Sequence, residues 1–236
     1  MKRPPDPHYR HRFSAEIISY AVWLYHVFSL SLRDVELLLA ERGILVSYET
    51  VRRWCKKFGA SFADRLRRRR PRPGDKWHMD EVFSRIQGVQ HYLWRAVDQN
   101  VVVLDILVQA RRDANAAKRF FRRLLKGLQY VPRVIVTDKL RSYGVARRQL
   151  LPGVEHRQSR YLNNRAENSH RPTRRRERQM QRFESSEQAQ DFLSAHSFIY
   201  GHFHPRRHQL VAAAYRVVRS DAFKTWHQET CAKRAA

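Results

Sequence analysis

Apolar residues recur at helical spacing in the first quarter of the chain. Between Ser47 and Gly59 they occupy positions i, i+3, i+4 and i+7, the spacing of the inward face of an amphipathic helix. The stripe consists of Val51, Trp54, Cys55 and Phe58. Ser47 is a suitable N-cap, and Gly59 a suitable end. The segment 31–43 follows the same scheme, so two helices joined by a tight turn over 43–46 are predicted.

From Lys76 onward the pattern changes to that of β-strands. Three short runs, Lys76–Ile86, Gln90–Val97 and Val101–Ala110, are rich in β-branched and aromatic residues. Turn-forming residues separate them, with Gly88 in the first break. These runs predict an antiparallel meander.

Helices and strands then alternate along the chain. The predicted elements are a helix over Asp113–Leu128, a strand over Arg133–Val136, a helix over Lys139–Leu150 and a strand over Val154–Gln158. The remainder is predicted to be mostly helical. A meander followed by alternating helices and strands is typical of the α/β class, with a mixed sheet and helices packed on its faces.

The charge balance restricts the kind of partner. Lys and Arg total 47 against 22 acidic residues, which gives a formal net charge of +25 at pH 7. A compact chain with this charge repels itself, so we expect a polyanionic partner, and nucleic acid fits best. A membrane surface fits less well, because the basic residues are spread along the chain and do not form one cluster.

Cysteine usage and hydropathy indicate where the protein works. Cys55 and Cys231 stand near opposite ends without metal-ligand spacing around them, which argues against a zinc finger and for a reduced, intracellular protein. The longest apolar stretch, Ile17–Leu30, contains His26 and is too short to span a bilayer. We expect a cytoplasmic, nucleoid-associated protein.

The second predicted helix has a basic outer face, as in the recognition helix of a helix-turn-helix motif. The N-terminal half of such a helix reaches the base edges of DNA, and four residues there are predicted to read the groove: Tyr48, Glu49, Arg52 and Arg53. Six further basic residues are predicted to contact DNA: Lys56, Lys57, Arg67, Arg68, Arg69 and Arg70. The alternative is a charged helix face that is merely solvated.

Three acidic residues stand out in this basic chain. Asp80 lies in the first strand, Asp138 follows the buried strand RVIVT, and Glu167 begins a helical segment. Carboxylates from two strands and a helix can converge on two Mg²⁺ ions, which prefer oxygen ligands and support phosphoryl transfer. Isolated acids are also commonly solvated or cap helices, and other acids compete for this role: Asp75, Glu81, Asp98, Asp105 and Glu177.

Glu177 is the main rival of Glu167. Asn163 and Asn164 can cap a helix that starts there and place Glu167 in its first turn, where the helix dipole favours an ionised carboxylate. Pro172 is expected to put the two glutamates on differently directed segments. Glu177 is flanked by arginines, and a surface ion pair explains it.

A basic run over Arg171–Arg182 adjoins Glu167. Five of its arginines are predicted to contact the phosphates of the cut DNA: Arg171, Arg174, Arg175, Arg176 and Arg178. A solvated helix face is the alternative. His202, His204 and His208 are predicted to pack or to contact phosphate and not to form a metal site, because no cysteine lies nearby.

Several sequence blocks resemble the DDE transposases of bacterial insertion sequences, above all insertion-sequence family six. The blocks are WHMDEVF, VTDKLRSYG, NNRAENSH and HFHPRRH, and the likeness covers nearly the whole chain. The resemblance implies a ribonuclease H-like sheet and assigns Asp80, Asp138 and Glu167 as catalytic ligands of Mg²⁺, with Mn²⁺ as a substitute. It also implies strand transfer on double-stranded DNA (terminal inverted repeats and target DNA) by a homodimer or a larger synaptic assembly.

The patterns and the resemblance together divide the chain into four regions. We predict a helix-turn-helix domain over 1–64, a basic linker over 65–75, a catalytic domain over 76–200 and a C-terminal helical tail over 201–236. Prolines in the linker are expected to stop the preceding helix. Two other functions are compatible with these features: a DNA-binding regulator that has lost catalysis, and a nuclease on the same fold that cleaves without joining.

Overall fold

The structure is a computed structural model that describes residues 8–159, 161–180, 183–204 and 210–231. The chain divides into two compact units. The helical unit takes its residues from Met1–Arg70 and Ala195–Ala236, and the sheet unit is Pro71–Ser194. The chain therefore leaves the helical unit once and returns to it after the sheet unit is complete.

The secondary structure follows the predicted order. The helices are α1 Ala15–Val27, α2 Leu32–Ala40, α3 Tyr48–Arg69, α4 Ala114–Leu128, α5 Arg141–Leu150, α6 Asn164–Ser169, α7 Arg171–Gln179, α8 Ser186–Phe203 and α9 Ala212–Thr230. The strands are β1 Lys76–Ile86, β2 Val89–Asp98, β3 Val103–Gln109, β4 Val134–Thr137 and β5 Glu155–Gln158. Within the described residues, no helix combines the length and the apolar character needed to cross a membrane.

The helical unit packs around aromatic side chains of α3. Phe62 is fully buried, and its ring meets that of Trp226 on α9 edge to face, with 5.4 Å between the centroids. Ser31 caps α2 as predicted: its Oγ accepts a hydrogen bond from the Asp34 amide at 3.1 Å, and Asp34 Oδ2 accepts one from the Ser31 amide at 2.7 Å. Helices α2 and α3 pack against each other across a short turn, as a helix-turn-helix requires.

Helix α3 is longer than predicted and takes up much of the predicted linker. It continues past Gly59 to Arg69, so the predicted end of the helix at Gly59 is wrong. Gly59 does not end the helix because it packs against His26, where an added Cβ would lie 3.1 Å from the ring Nε2. Leu66 is 5% exposed and extends the buried stripe, and the helix stops just before the first proline of the segment.

The C-terminal segment returns to the helical unit. Helix α9 and the end of α8 belong to the helical unit with the N-terminal helices. Arg65 Nη1 donates to the Glu229 carbonyl at 2.7 Å, and Arg69 Nε donates to Glu229 Oε1 at 2.6 Å. These contacts join segments that are far apart in sequence, so local patterns gave no sign of them.

The sheet unit contains a five-stranded mixed sheet in the order β3-β2-β1-β4-β5. Strands β1, β2 and β3 pair antiparallel, while β4 pairs parallel to both β1 and β5. The β1–β2 hairpin turns through Gln87 and Gly88, both with positive φ (50° and 80°). The meander followed by parallel strands confirms the mixed, ribonuclease H-like class of sheet.

Helices cover both faces of this sheet. On one face α4 and α5 pack over Trp77 and Trp94. On the opposite face, Leu93 of β2 contributes to a second cluster that includes Phe183. Strand β1 lies in the middle of the sheet, so it is buried from Trp77 through Glu81 and becomes more exposed beyond that point.

Leu66→Ala tests the extension of α3 through the predicted linker. Because Leu66 is 5% exposed, its truncation should lower the free energy of unfolding of the helical unit by about 2–5 kcal/mol. A leucine in a solvated linker would change it by at most about 0.5 kcal/mol. Urea unfolding followed by circular dichroism measures the difference. Leu45→Ala is the matched control, since Leu45 is 79% exposed in the same unit, and equal effects of the two variants would contradict the extension.

Candidate active site

Parallel pairing of β1 and β4 brings Asp80 and Asp138 together. His78 lies opposite Val136 in the register, and the two aspartates follow two residues further along each segment. Carboxylate oxygens of Asp80, Asp138 and Glu81 all lie within 4.8 Å of one another. Two of the three predicted catalytic residues are therefore neighbours at the carboxyl end of β4.

Asp80 lies in an unfavourable environment for its negative charge. Its burial, with 8% of the residue exposed, raises its pKa to about 7, and the charges of Glu81, Asp138 and Glu167 act in the same direction. His170 Nε2 lies 3.6 Å from Asp80 Oδ2. Burial keeps the pKa of His170 well below its ordinary value, so the ring is neutral and does not compensate the carboxylate. A cation bound at these oxygens would do so.

Glu81 is held by two hydrogen-bond donors. Arg112 Nε donates to its Oε1 at 2.6 Å, and the Tyr143 hydroxyl donates to its Oε2 at 2.5 Å. Burial raises the pKa of Glu81, and the bond from Tyr143 opposes that shift. Arg112 Nη2 also lies 3.5 Å from Asp138 Oδ2, so it offsets part of the charge of both acids. Sequence reasoning missed Arg112 and Tyr143, because nothing near them in sequence points to these carboxylates.

Glu167 lies in the same cavity as Asp80 but outside the tight cluster. The cavity, of about 1000 Å³, is lined by Asp80, Glu167 and His170 among other residues. Glu167 is exposed in the first turn of α6, as predicted. In the described part of the chain, its carboxylate is not within 4.8 Å of both aspartates. Strands β1 and β4 thus position the two aspartates, and α6 brings Glu167 to the cavity that Asp80 lines.

Buried polar contacts anchor α6 to the central strands. Asn163 is fully buried, and its Nδ2 donates to the Met79 carbonyl at 2.8 Å; contrary to prediction, its side chain does not cap α6. Arg95 of β2, 3% exposed, donates to the Ser169 carbonyl at 2.6 Å and to Thr173 Oγ1 at 2.9 Å. Burial lowers the pKa of Arg95 to about 10. Sequence reasoning missed Arg95, although a charged residue inside the apolar run YLWRAV is a visible signal.

Glu177, which was predicted to form a surface ion pair, contacts the sheet. It lines the same cavity and accepts a hydrogen bond from the Ser84 hydroxyl of β1. This contact ties Glu177 to the strand, and the predicted surface ion pair with its flanking arginines stays a prediction. Helices α6 and α7 are separate, and Pro172 lies in the first turn of α7, which agrees with the predicted break. The choice of Glu167 over Glu177 as the third ligand stays a prediction.

Four of the five arginines predicted to contact DNA from α7 are at least partly exposed: Arg171, Arg174, Arg175 and Arg178. Arg176 is 1% exposed, and its guanidinium carbon lies 5.8 Å from the centroid of the Phe192 ring. The predicted phosphate contact is therefore wrong for Arg176. A helix packed on a sheet turns part of its circumference inward, and Arg176 falls on that side. Residues 181 and 182 of the basic run lie outside the described residues.

On α3 the residues predicted to read bases contact one another. Arg52 donates to Glu49 through Nε at 2.7 Å and Nη2 at 2.8 Å, and Arg53 Nε donates to the same carboxylate at 3.2 Å. The hydrogen bond from Arg52 is the main reason that the pKa of Glu49 falls to about 2. Arg33 lies over the ring of Tyr48, 4.4 Å from its centroid. Glu49 therefore orients both arginines instead of presenting its own carboxylate.

The other predicted DNA contacts of α3 and its C-cap are at least partly exposed: Lys56, Lys57, Arg67, Arg68, Arg69 and Arg70. Their surroundings differ. Arg69 forms the ion pair with α9, whereas the guanidinium carbons of Arg67 and Arg70 each lie 5.3 Å from the centroid of the Phe198 ring. Arg68 is exposed at the end of the helix.

The C-terminal histidines pack against their neighbours. His202 Nε2 lies 2.8 Å from the Ala222 carbonyl. His204 Nδ1 lies 2.9 Å from the Tyr200 carbonyl, and the two rings stack with 3.7 Å between centroids. These contacts agree with the prediction of packing. His208 lies outside the described residues.

Comparisons with known proteins identify relatives that match most of the chain. Residues 74–205 match a family profile described as a DDE domain (DDE_Tnp_IS240). The chain is 31% identical over 204 residues to the transposase for insertion sequence-like element IS431mec of Staphylococcus aureus, a match that covers 84% of this chain and 89% of that protein. It is 30% identical over 204 residues, with 84% and 89% coverage, to the S. aureus transposase for insertion sequence element IS257 in transposon Tn4003.

The chain has a mixed sheet whose parallel strands β1 and β4 bring two aspartates together, and a DDE domain profile matches more than half of it. These features define a DDE transposase. The chain belongs to the transposases of bacterial insertion sequences, within insertion-sequence family six. Among solved structures, a chain of the simian T-cell lymphotropic virus intasome in complex with PP2A regulatory subunit B56 gamma is 13% identical. Its TM-score of 0.41, over 71% of this chain and 59% of that one, is too low to support an argument.

Asp80→Asn should stabilise the metal-free protein at high pH. The pKa of Asp80 is raised to about 7 in the folded state, from an ordinary value of 3.8. The stability contributed by its protonated form is therefore fully present only below 3.8 and is lost as the pH rises from there through 7. Asparagine carries no charge and avoids that loss. The advantage of the variant over the wild type in free energy of unfolding should therefore grow by roughly 2–3 kcal/mol between about pH 5 and about pH 8.

Urea unfolding in the presence of EDTA at both pH values measures this difference. Asp64→Asn, at an exposed position of α3, controls for the removal of one carboxylate. If the difference in free energy of unfolding between Asp80→Asn and the wild type is the same at both pH values, Asp80 is ionised in the folded protein without an energetic penalty.

Proposed function

We propose that this transposase binds the terminal inverted repeats of its insertion sequence, cleaves the 3′ ends and joins them to target DNA. Asp80, Asp138 and Glu167 act as the catalytic residues. The proposal is carried by one observation: Asp80 and Asp138, from adjacent parallel strands, lie together, and Glu167 from α6 lines the same cavity as Asp80. The family of the chain supports transfer chemistry on DNA.

The residues at this edge fit divalent cations. All donors are carboxylates, and Mg²⁺ prefers oxygen ligands while keeping several waters, so a few protein ligands suffice. Burial, and after it the charges of Glu81, Asp138 and Glu167, raises the pKa of Asp80 to about 7, so the ionised carboxylate is poorly compensated without a cation. Asp80, Asp138 and Glu167 would hold two Mg²⁺ ions, with Mn²⁺ as a substitute. When bound, such a pair stabilises charge on the attacking and leaving oxygens of an in-line displacement.

The neighbouring side chains keep the carboxylates in place. The Leu140 amide donates to Asp138 Oδ1 at 3.0 Å, which fixes that side chain beyond the end of β4. Glu81 holds Arg112 beside Asp138, so Arg112 limits the repulsion between acids before a metal binds. The neutral ring of His170 covers one side of Asp80 and excludes water from it.

Basic residues around the cavity suit a phosphate backbone. Arg171, Arg174 and Arg178 line it together with Asp80 and Glu167. Guanidinium groups bind phosphate oxygens through charge-assisted hydrogen bonds, and the affinity they add depends on salt and not on base sequence. We infer that they hold the cut strand while the acids act. Because two ends of one element must be joined, a homodimer or larger assembly is expected.

The roles of the acidic residues can be distinguished by measuring the activity of single variants on terminal-repeat DNA. This DNA is taken from the regions that flank the coding sequence. With Mg²⁺, Asp80→Ala, Asp138→Ala and Glu167→Gln should each abolish cleavage and joining while leaving binding of the repeats nearly intact. Glu177→Gln is the matched control, because the amide still accepts the bond from Ser84, and it should cost less than about tenfold. Mapping of nicked and joined products on gels gives the measurement.

The outcomes of this experiment distinguish the alternatives. Cleavage by the wild type without joined products would identify a nuclease, and binding without either product would identify a regulator. If Glu167→Gln is fully active and Glu177→Gln is inactive, Glu177 and not Glu167 is the third catalytic residue.

Different residues of α3 should contact the bases and the phosphates of DNA. Arg52→Ala and Arg53→Ala should narrow the difference in affinity between terminal-repeat and random DNA, because contacts to base edges contribute about 1–3 kcal/mol each. Arg68→Ala should weaken binding to both DNAs alike and lower the salt dependence by about one unit of slope. Arg68 is a cleaner choice than Arg69, whose ion pair with Glu229 also stabilises the helical unit. Titration by fluorescence anisotropy at several salt concentrations measures both effects, and a specificity loss confined to Arg68→Ala would reverse the assignment.

A further inference from the structure

Phe83 is an exposed aromatic residue on the strand that carries Asp80. It follows Asp80 by three positions on β1, and 54% of it is exposed. Single exposed apolar residues are common on protein surfaces, so exposure alone has no functional meaning. Its position does, because Phe83 lines the same cavity as Asp80 and Glu167.

The wall beside Phe83 is cationic. The guanidinium carbon of Arg174 on α7 lies 5.5 Å from the centroid of the Phe83 ring, within the range of a cation–π contact. Arg171 and Arg178, from the same helix, also line the cavity. The hydrogen bond from Ser84 to Glu177 ties α7 to β1 next to this ring, so the ring and the arginines are held on opposite elements at a fixed distance.

An aromatic ring beside arginines is the combination that binds an unpaired nucleotide. Its base stacks on the ring, and its phosphate contacts the guanidinium groups. The cavity of about 1000 Å³ is at the upper end of the volumes that enclose small organic ligands, so it has room for a nucleotide next to the acids. A base inside a duplex is covered on both sides by its neighbours, so only a base that has left the stack can reach Phe83.

The geometry points to Phe83 as a stacking platform for one nucleobase of the DNA end, adjacent to the phosphate that is cleaved. This inference rests on the proposed function, since it places the cut strand at Asp80. It goes further, because it gives the sheet unit its own contact with a base, separate from the residues of α3. Stacking accepts any base, so the platform would hold the end of the strand in place without selecting its sequence.

Photocrosslinking tests the platform directly. The probe is a duplex with the terminal repeat from the DNA flanking the coding sequence, pre-cut and ending in a dideoxynucleotide so that joining cannot occur. 5-Iodouracil is placed at each position near the cut in turn. With the wild-type protein and Mg²⁺, irradiation should give an adduct at one position, which mass spectrometry should locate on Phe83. The adduct should be absent in Phe83→Leu and retained in Phe83→Trp.

Affinity for the same pre-cut end supplies the second readout. Phe83→Ala should weaken binding by roughly 5- to 150-fold, the loss expected for one base–aromatic stack, and Phe83→Trp should restore it. Val131→Ala is the matched control, because Val131 is also 54% exposed in the sheet unit but does not line the cavity, and it should bind as the wild type does. Circular dichroism and urea unfolding verify that each variant is folded.

Four results would overturn the inference. If Phe83→Ala binds more weakly but the wild type gives no adduct on Phe83, the ring merely supports Arg174. Wild-type affinity in both Phe83→Ala and Phe83→Leu would remove any role in binding. If the wild type cleaves and joins terminal-repeat DNA but gives no adduct, the platform fails while the proposed function stands. A wild type that neither binds nor cleaves this DNA would overturn both.

Discussion

Negative charge is concentrated between the middle of β1 and the end of β4, and the arrangement of the sheet unit depends on how that charge is offset. Parallel pairing puts Asp80 beside Asp138, and burial raises the pKa of Asp80 to about 7. In a site with little water, like charges repel strongly unless donors or cations oppose them. Arg112 and Tyr143 donate hydrogen bonds to Glu81, whereas the neutral ring of His170 beside Asp80 supplies no positive charge. The acid with the least compensation is the one on which a bound cation would act most.

The short helices that complete the cavity are positioned by directional polar contacts. Asn163 bonds to the carbonyl of Met79, and Arg95 bonds to Ser169 and Thr173, so the two central strands hold both ends of α6. Buried hydrogen bonds that are fully made fix one geometry, while apolar contacts tolerate sliding. The placement of the glutamate on α6 therefore depends on residues of β1 and β2 that have no chemical role of their own.

The net charge of +25 predicts an anionic partner, but it does not say which basic residues face that partner. Arg95 and Arg176 are buried, and Arg123 pairs with the buried Asp105 at 2.9 Å. A different set, including Arg174 and Arg178, lines the acidic cavity. Part of the positive charge thus stabilises the fold, and another part lies where a phosphate backbone would pass.

The sequence by itself determined the local elements and two of the acids. Strand runs and turn residues predicted all five strands to within two residues, because side-chain alternation and turn chemistry act over short distances. Asp80 and Asp138 were identifiable because each belongs to a strand with a clear pattern and to a recognisable motif. Tertiary structure alone decided that α3 continues past Gly59, that Arg176 is buried and that Glu177 bonds to Ser84. Each of these outcomes depends on a partner from a distant segment, and burial of a polar or charged group is set by that partner and not by its neighbours in sequence.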